Sequence, residues 1–169
     1  EDSLYEGLDS PYRAKNAPFD TREEIRLVDG WHLDGVWERV GKHLTVYGGG
    51  QVNVNTAHRP VIYALFQGYT DNVWPDQVIL DWVDLFMQAR NLPIIEGGVY
   101  FQNGQQFYQF CTETLQIPLR EDVANAVTGQ STTFRVTSVG EVDDARVEIE
   151  AVLDYTIDPT GAVLYWNVR

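Results

Sequence analysis

The hydrophobic pattern of this chain changes period once, and that change constrains the fold more than any other feature. Residues 132–139, 145–157 and 162–168 are rich in β-branched and aromatic side chains, the composition of strands. Asp158-Pro159-Thr160-Gly161 is a strong turn signal between the last two, and Gly140 with Asp143-Asp144 marks the turn before them. The segment predicts a three-stranded antiparallel meander. Alone it would leave one apolar face bare, so something must cover it. Phe134 and Trp166 are core residues of this sheet if its apolar face is covered. Truncating either to Ala then costs roughly 3–5 kcal/mol, whereas outward-facing rings would mark an interface.

Upstream the period is helical. Turn formers at Gly7, Asp9, Ser10 and Pro11 make residues 1–18 irregular. Asp20 or Thr21 can cap a helix, with Glu23 or Glu24 three positions on closing a capping box, and Asp29-Gly30 stops it. A short helix is predicted over 34–40, and Gly48-Gly49-Gly50 forms a flexible tip. In Gln51-Val52-Asn53-Val54-Asn55-Thr56-Ala57 the apolar and polar residues alternate, giving a short extended piece. Asn53, Asn55 and Thr56 are expected to bond nearby backbone and lock the start of a helix over 58–66, which carries Pro60 in its first turn. The strongest helix covers 75–90. Gln77, Asp81, Asp84 and Gln88 form its solvated stripe, and Val78, Ile79, Trp82, Val83 and Phe86 face the other way. Asn103 caps a further helix to about residue 115 that buries Phe107, Phe110 and Cys111. The expected division is a helical region over 1–128 and the meander over 129–169.

Charge and composition exclude several classes. Twenty-five acidic residues against twelve basic ones give a formal charge of −13. Binding to nucleic acid rests on Lys and Arg neutralising phosphates, so this balance opposes it, and it opposes anionic membrane surfaces as well. Five Trp, nine Tyr and seven Phe do not fit a disordered chain. No run approaches the roughly 18 apolar residues of a membrane span, and there is no initiator Met, so the sequence reads as a mature or truncated fragment. Cys111 stands alone, in apolar company, as a buried hydrophobe without a disulfide partner.

Chemistry-bearing constellations are sparse. Residues 20–40 read as a helix-hairpin-helix unit. Its hairpin, Val28-Asp29-Gly30-Trp31-His32-Leu33-Asp34, keeps Gly30 but puts His32 where a second glycine would sit. Asp29 and Asp34 stand where a phosphate would approach, so the unit reads as a packing module. His32, His43 and His58 occupy different local settings, and no nucleophile elbow, zinc helix or phosphate loop is present. The acidic loops 71–76, 141–144 and 154–158 match no calcium loop, and read as solvated loops. No catalytic residue, cofactor or metal site is assigned.

Three stretches carry a resemblance. Asn16-Ala17-Pro18-Phe19-Asp20-Thr21-Arg22-Glu23-Glu24-Ile25-Arg26-Leu27-Val28-Asp29-Gly30-Trp31 resembles a conserved stretch of the K-type minor pseudopilins of type II secretion. Val52-Asn53-Val54-Asn55-Thr56-Ala57 is similar to that family's "I-N-V-N-T-A" motif, which also occurs in helix-hairpin-helix proteins of DNA uptake. Thr133-Phe134-Arg135-Val136 and Gly161-Ala162-Val163-Leu164-Tyr165-Trp166 resemble its closing strands. The resemblance implies an α+β fold, a helical SAM-like, helix-hairpin-helix region followed by a three-stranded antiparallel sheet. It implies a structural role at the pseudopilus tip in the periplasm, with I-type and J-type minor pseudopilins as partners, no nucleic acid and no enzymatic activity. Full-length members carry an N-terminal inner-membrane helix that packs on the sheet. Some members bind calcium, but no ligand set here carries such a site over. Without that helix, the meander face is expected to be covered by the helical region or left open. A helix-hairpin-helix nucleic-acid binder of the DNA-uptake type is the alternative.

Overall fold

The computed structural model describes residues 2–8, 10–31, 35–143 and 145–169, and of Asp2 and Ser3 the backbone only. The fold is α+β, and the chain separates into two compact units, Glu1–Val46 and Tyr47–Arg169. The expected boundary at 128/129 falls inside the second unit, where helix gives way to strand.

The first unit holds α1 (Asp2–Glu6), a 3-10 helix (Arg22–Leu27), α2 (Val36–Val40) and a 3-10 turn (Gly41–His43). The helix predicted after Asp20 is thus a 3-10 helix. Its start is fastened by Glu24, whose Oε1 accepts from the N–H groups of Asp20 (3.1 Å) and Thr21 (3.2 Å). Lys15 Nζ reaches Asp20 Oδ2 at 2.7 Å and Glu24 Oε2 at 2.9 Å, and Tyr5 stacks on Tyr12. Gly30 has a positive φ of 84°. His32, Leu33 and Asp34, central to the predicted hairpin, lie outside the described residues.

The second unit builds its core from helices. After β1 (Val52–Asn53) come α3 (Arg59–Gly68), α4 (Asp76–Asn91) and a 3-10 turn (Ile94–Glu96). Then α5 (Gly104–Gln109) runs on into a π-helical turn (Phe110–Thr114), followed by α6 (Val123–Ala126) and β2 (Val127–Thr128). Asn103 caps α5 by accepting from Gln106 N at 3.0 Å, and Pro60 sits in the first turn of α3, both as the sequence predicts. Ile79, Val83 and Phe86 of α4 are buried while Gln77, Asp81, Asp84 and Gln88 face solvent. The centre is aromatic. Phe86 and Phe101 each meet Phe107 edge-on, at 5.5 and 5.7 Å between centroids, and Phe66 packs on both Phe86 and Phe107. Cys111 is buried in the same cluster, which pushes its thiol far above the ordinary range and keeps it protonated.

The meander follows as β3 (Thr133–Val142), β4 (Ala145–Asp154) and β5 (Ala162–Val168), antiparallel in that order. β4 stops three residues short of the predicted end because Asp154 turns the chain. Its Oδ1 accepts from both the N–H (2.7 Å) and the hydroxyl of Thr156. Asp158 does the same for Thr160, and Gly161 takes φ 93° to close the loop. Directly opposed residues share a face. One face carries Val136, Ala151 and Trp166 in one row and Phe134, Leu153 and Val163 in the next. Leu164 is the extra residue of a bulge between those rows. The other face carries ion pairs: Glu150 takes both Arg135 and Arg169, and Arg146 lies between Glu141 and Glu148.

Phe134 and Trp166 are not core residues: they are 45% and 57% exposed. Val136, Val142, Val147, Val163 and Val168 on the same face are exposed too. Ala151, which lies between Val136 and Trp166 across the strands, is buried. The sequence locates the apolar face correctly but not its surroundings, since alternation says which residues share a face and nothing about what lies on it.

Two outcomes follow. Trp166→Ala should change stability by about 1 kcal/mol or less, against about 3–5 kcal/mol for Phe107→Ala, as read by urea melts. Hydrogen bonds from Thr156, and more weakly Thr133, hold the Asp154 carboxyl below its ordinary value of 3.8. A lowered carboxylate pKa stabilises the fold above the ordinary value, and that contribution is lost as pH falls through the folded one. The stability gap between Asp154→Ala and the unaltered chain should therefore be widest at neutral pH and narrow in acid.

Candidate functional site

The stretch Val52–Ala57 forms a stitched joint at the middle of the second unit. β1 pairs in parallel with β2, Val52 opposite Val127 and Asn53 opposite Thr128, and Val54 is fully buried behind them. Asn53 works locally, as expected: its Oδ1 accepts from Asn55 N at 3.0 Å, and its backbone O accepts from Thr56 N (3.3 Å) and Ala57 N (2.9 Å). Its Nδ2 also donates to Ser131 Oγ at 2.7 Å. Thr56 is exposed and contributes its backbone to the turn.

Asn55 reaches farther than its neighbours suggest. Its Nδ2 donates to Phe101 O at 2.7 Å and Gly129 O at 2.9 Å, and its Oδ1 accepts from Phe101 N at 3.0 Å. A primary amide has the donor and acceptor of a peptide group, so Asn55 pairs with Phe101 as a strand residue would. Asp could accept from Phe101 N but could not donate to either carbonyl. Gly129 must be glycine, because a Cβ there would lie 2.1 Å from Phe101 O. Arg90 completes the joint from α4. Its Nη1 donates to Val54 O at 3.1 Å and Ala57 O at 2.6 Å, and its guanidinium lies 5.8 Å from the centroid of the Phe86 ring. Partial burial lowers its pKa from the ordinary Arg value.

Of the residues singled out from sequence, Asn53, Asn55 and Thr56 come together here. Phe134 and Trp166 come together on the apolar sheet face, in adjacent rows on opposite edge strands. Gly30 belongs to the other unit. Sequence reasoning missed Arg90, Phe101 and Gly129. Only the turn-forming composition of Thr128-Gly129-Gln130-Ser131 hinted at one of them.

The remaining surfaces offer less chemistry. A cleft of about 480 Å³ in the first unit is walled by Tyr5, Tyr12, Phe19 and Leu27. Its Lys15 is already held by Asp20 and Glu24. Those bonds raise the lysine pKa, the Asp20 bond most, and the Lys15 bond is the main cause that lowers that of Glu24. Among the described residues no three His, Cys, Asp or Glu side chains converge as a metal site. The geometry therefore offers two things: a rigid joint at Asn55 and a bare apolar sheet face.

Asn55→Ala should destabilise the second unit by about 2 kcal/mol or more, because it strands the Phe101 N–H and carbonyl and leaves Gly129 O with only the Tyr100 hydroxyl at 3.3 Å. Asn55→Asp should not restore it; equilibrium urea unfolding of the two variants checks both.

Compared with protein families, curated proteins and solved structures, the chain matches none.

Proposed function

We propose that this chain is the periplasmic part of a K-type minor pseudopilin, a tip subunit of the type II secretion pseudopilus. The observation that carries the reading is the bare face of the β3–β5 meander. Seven large apolar side chains, from Phe134 to Val168, stand exposed on one face, while the reverse face carries ion pairs. Covering half of each such side chain contributes about 1 kcal/mol, so a long apolar helix laid on this face would be held firmly. In the family this chain resembles, the N-terminal helix takes that place and continues into the inner-membrane anchor.

On this reading the helical part is the SAM-like, helix-hairpin-helix insertion of the tip subunit. The Asn55 joint is what the "I-N-V-N-T-A" motif does: it holds that part rigid as a presented surface. The protein acts by shape and surface complementarity, without catalysis or a cofactor of its own, and its partners are the I-type and J-type minor pseudopilins. A charge of −13 counts against the nucleic-acid-binding alternative.

The test is size-exclusion chromatography with light scattering on this chain mixed with the periplasmic domains of I-type and J-type subunits, with and without calcium. A discrete complex of the three is expected. Separate elution of all three in both conditions would overturn the proposal.

A further inference from the structure

The loop between α4 and α5 breaks the rule by which a soluble surface is built. Leu92, Pro93, Ile94 and Ile95 are all exposed, the two isoleucines at 75% and 94%. Scattered exposed aliphatics are ordinary, but a run of four consecutive ones is a defect unless it is used.

This run is also held in one shape. Glu96 N and Gly98 N both donate to Pro93 O, at 2.9 and 3.0 Å, and Gly97 N donates to Ile94 O at 3.1 Å. Val99 N donates back to Ala89 O of α4 at 3.3 Å, which ties the loop's far end to the helix. Gly97 takes φ 90°, and at Gly98 a Cβ would lie 1.9 Å from Leu92 O. The turn is therefore built around its glycines, with both isoleucines pointing outward. A knob fixed before contact loses little conformational entropy on docking.

Charge selects the kind of partner. From residue 91 to 119 there is no Lys or Arg, and Glu96 sits at the knob itself. An anionic bilayer surface would repel this loop, which also lacks the Trp and basic residues of interfacial segments.

We infer that the Ile94–Glu96 turn is a docking knob for another protein, whose socket is apolar with a neutral or basic rim. On the pseudopilin reading, on which this rests for the partner's identity, the socket lies on the I-type/J-type pair. The knob shares no residue with the β3–β5 face.

The test is calorimetric titration of this chain into the I-type/J-type pair, comparing the unaltered protein, the double variant I94S/I95S, and V73S. Val73 is fully exposed elsewhere in the chain and serves as a control for general stickiness. The expected result is a rise in Kd of at least about tenfold for I94S/I95S, with an unchanged melting temperature and unchanged binding by V73S. Equal affinity for I94S/I95S and the unaltered chain overturns the knob and leaves the pseudopilin reading standing. An equal loss in V73S overturns the knob as well. Absence of any complex with the unaltered chain overturns both readings. Co-flotation with phosphatidylethanolamine–phosphatidylglycerol vesicles that is lost in I94S/I95S would assign the knob to lipid, and overturn the protein-docking proposal.

Discussion

The amide of Asn55 is the interaction on which the second unit depends. Three segments meet at it: the turn after β1, the strand-like approach to α5 at Phe101, and Gly129 just beyond β2. The last two offer three polar backbone groups between them, Phe101 N, Phe101 O and Gly129 O, and an unmet hydrogen bond at a buried group is costly. A single side chain meets all three. Around it, Arg90 satisfies the carbonyls of Val54 and Ala57, and Val54 enters the core beside the phenylalanine cluster. The helices supply the apolar mass, and the joint sets how the loops between them are held.

The meander is stabilised differently. Its strands are joined by an uninterrupted register between β3 and β4, by a bulge at Leu164 between β4 and β5, and by Asp154 and Asp158 at the turn. One face has ion pairs that tolerate water, and the other has side chains that do not prefer it. A sheet of this kind is stable in its hydrogen bonding and incomplete in its burial. The same imbalance recurs on a small scale at Ile94 and Ile95, where a well-bonded turn holds up aliphatic side chains with nothing over them.

Much of this was legible in the sequence where the signal is local. Periodicity located α4 and the three strands, Asn103 announced its own cap, and Asp158-Pro159-Thr160-Gly161 specified a turn that the structure contains. What escaped were the relations between distant segments. The residues that Asn55 bonds lie 46 and 74 positions away, and no local pattern points to them. The burial of Phe134 and Trp166 stayed open for the same reason: strand alternation assigns a side chain to a face, and only tertiary packing decides whether that face is dry. The 3-10 geometry after Thr21 was hidden as well, because a capping box marks where a helix begins without setting its pitch.

The span of the Asn55 bonds also bears on how the chain reaches its native state. α3 and α4 can form and pack as soon as they exist, since their contacts are close in sequence. The joint cannot be completed until Gly129 is present, because the last bond of the Asn55 amide goes to its carbonyl. Closing so long a loop is slow compared with forming a helix pair. On contact order the helical core is expected to pack first and the joint to close last, from its C-terminal side.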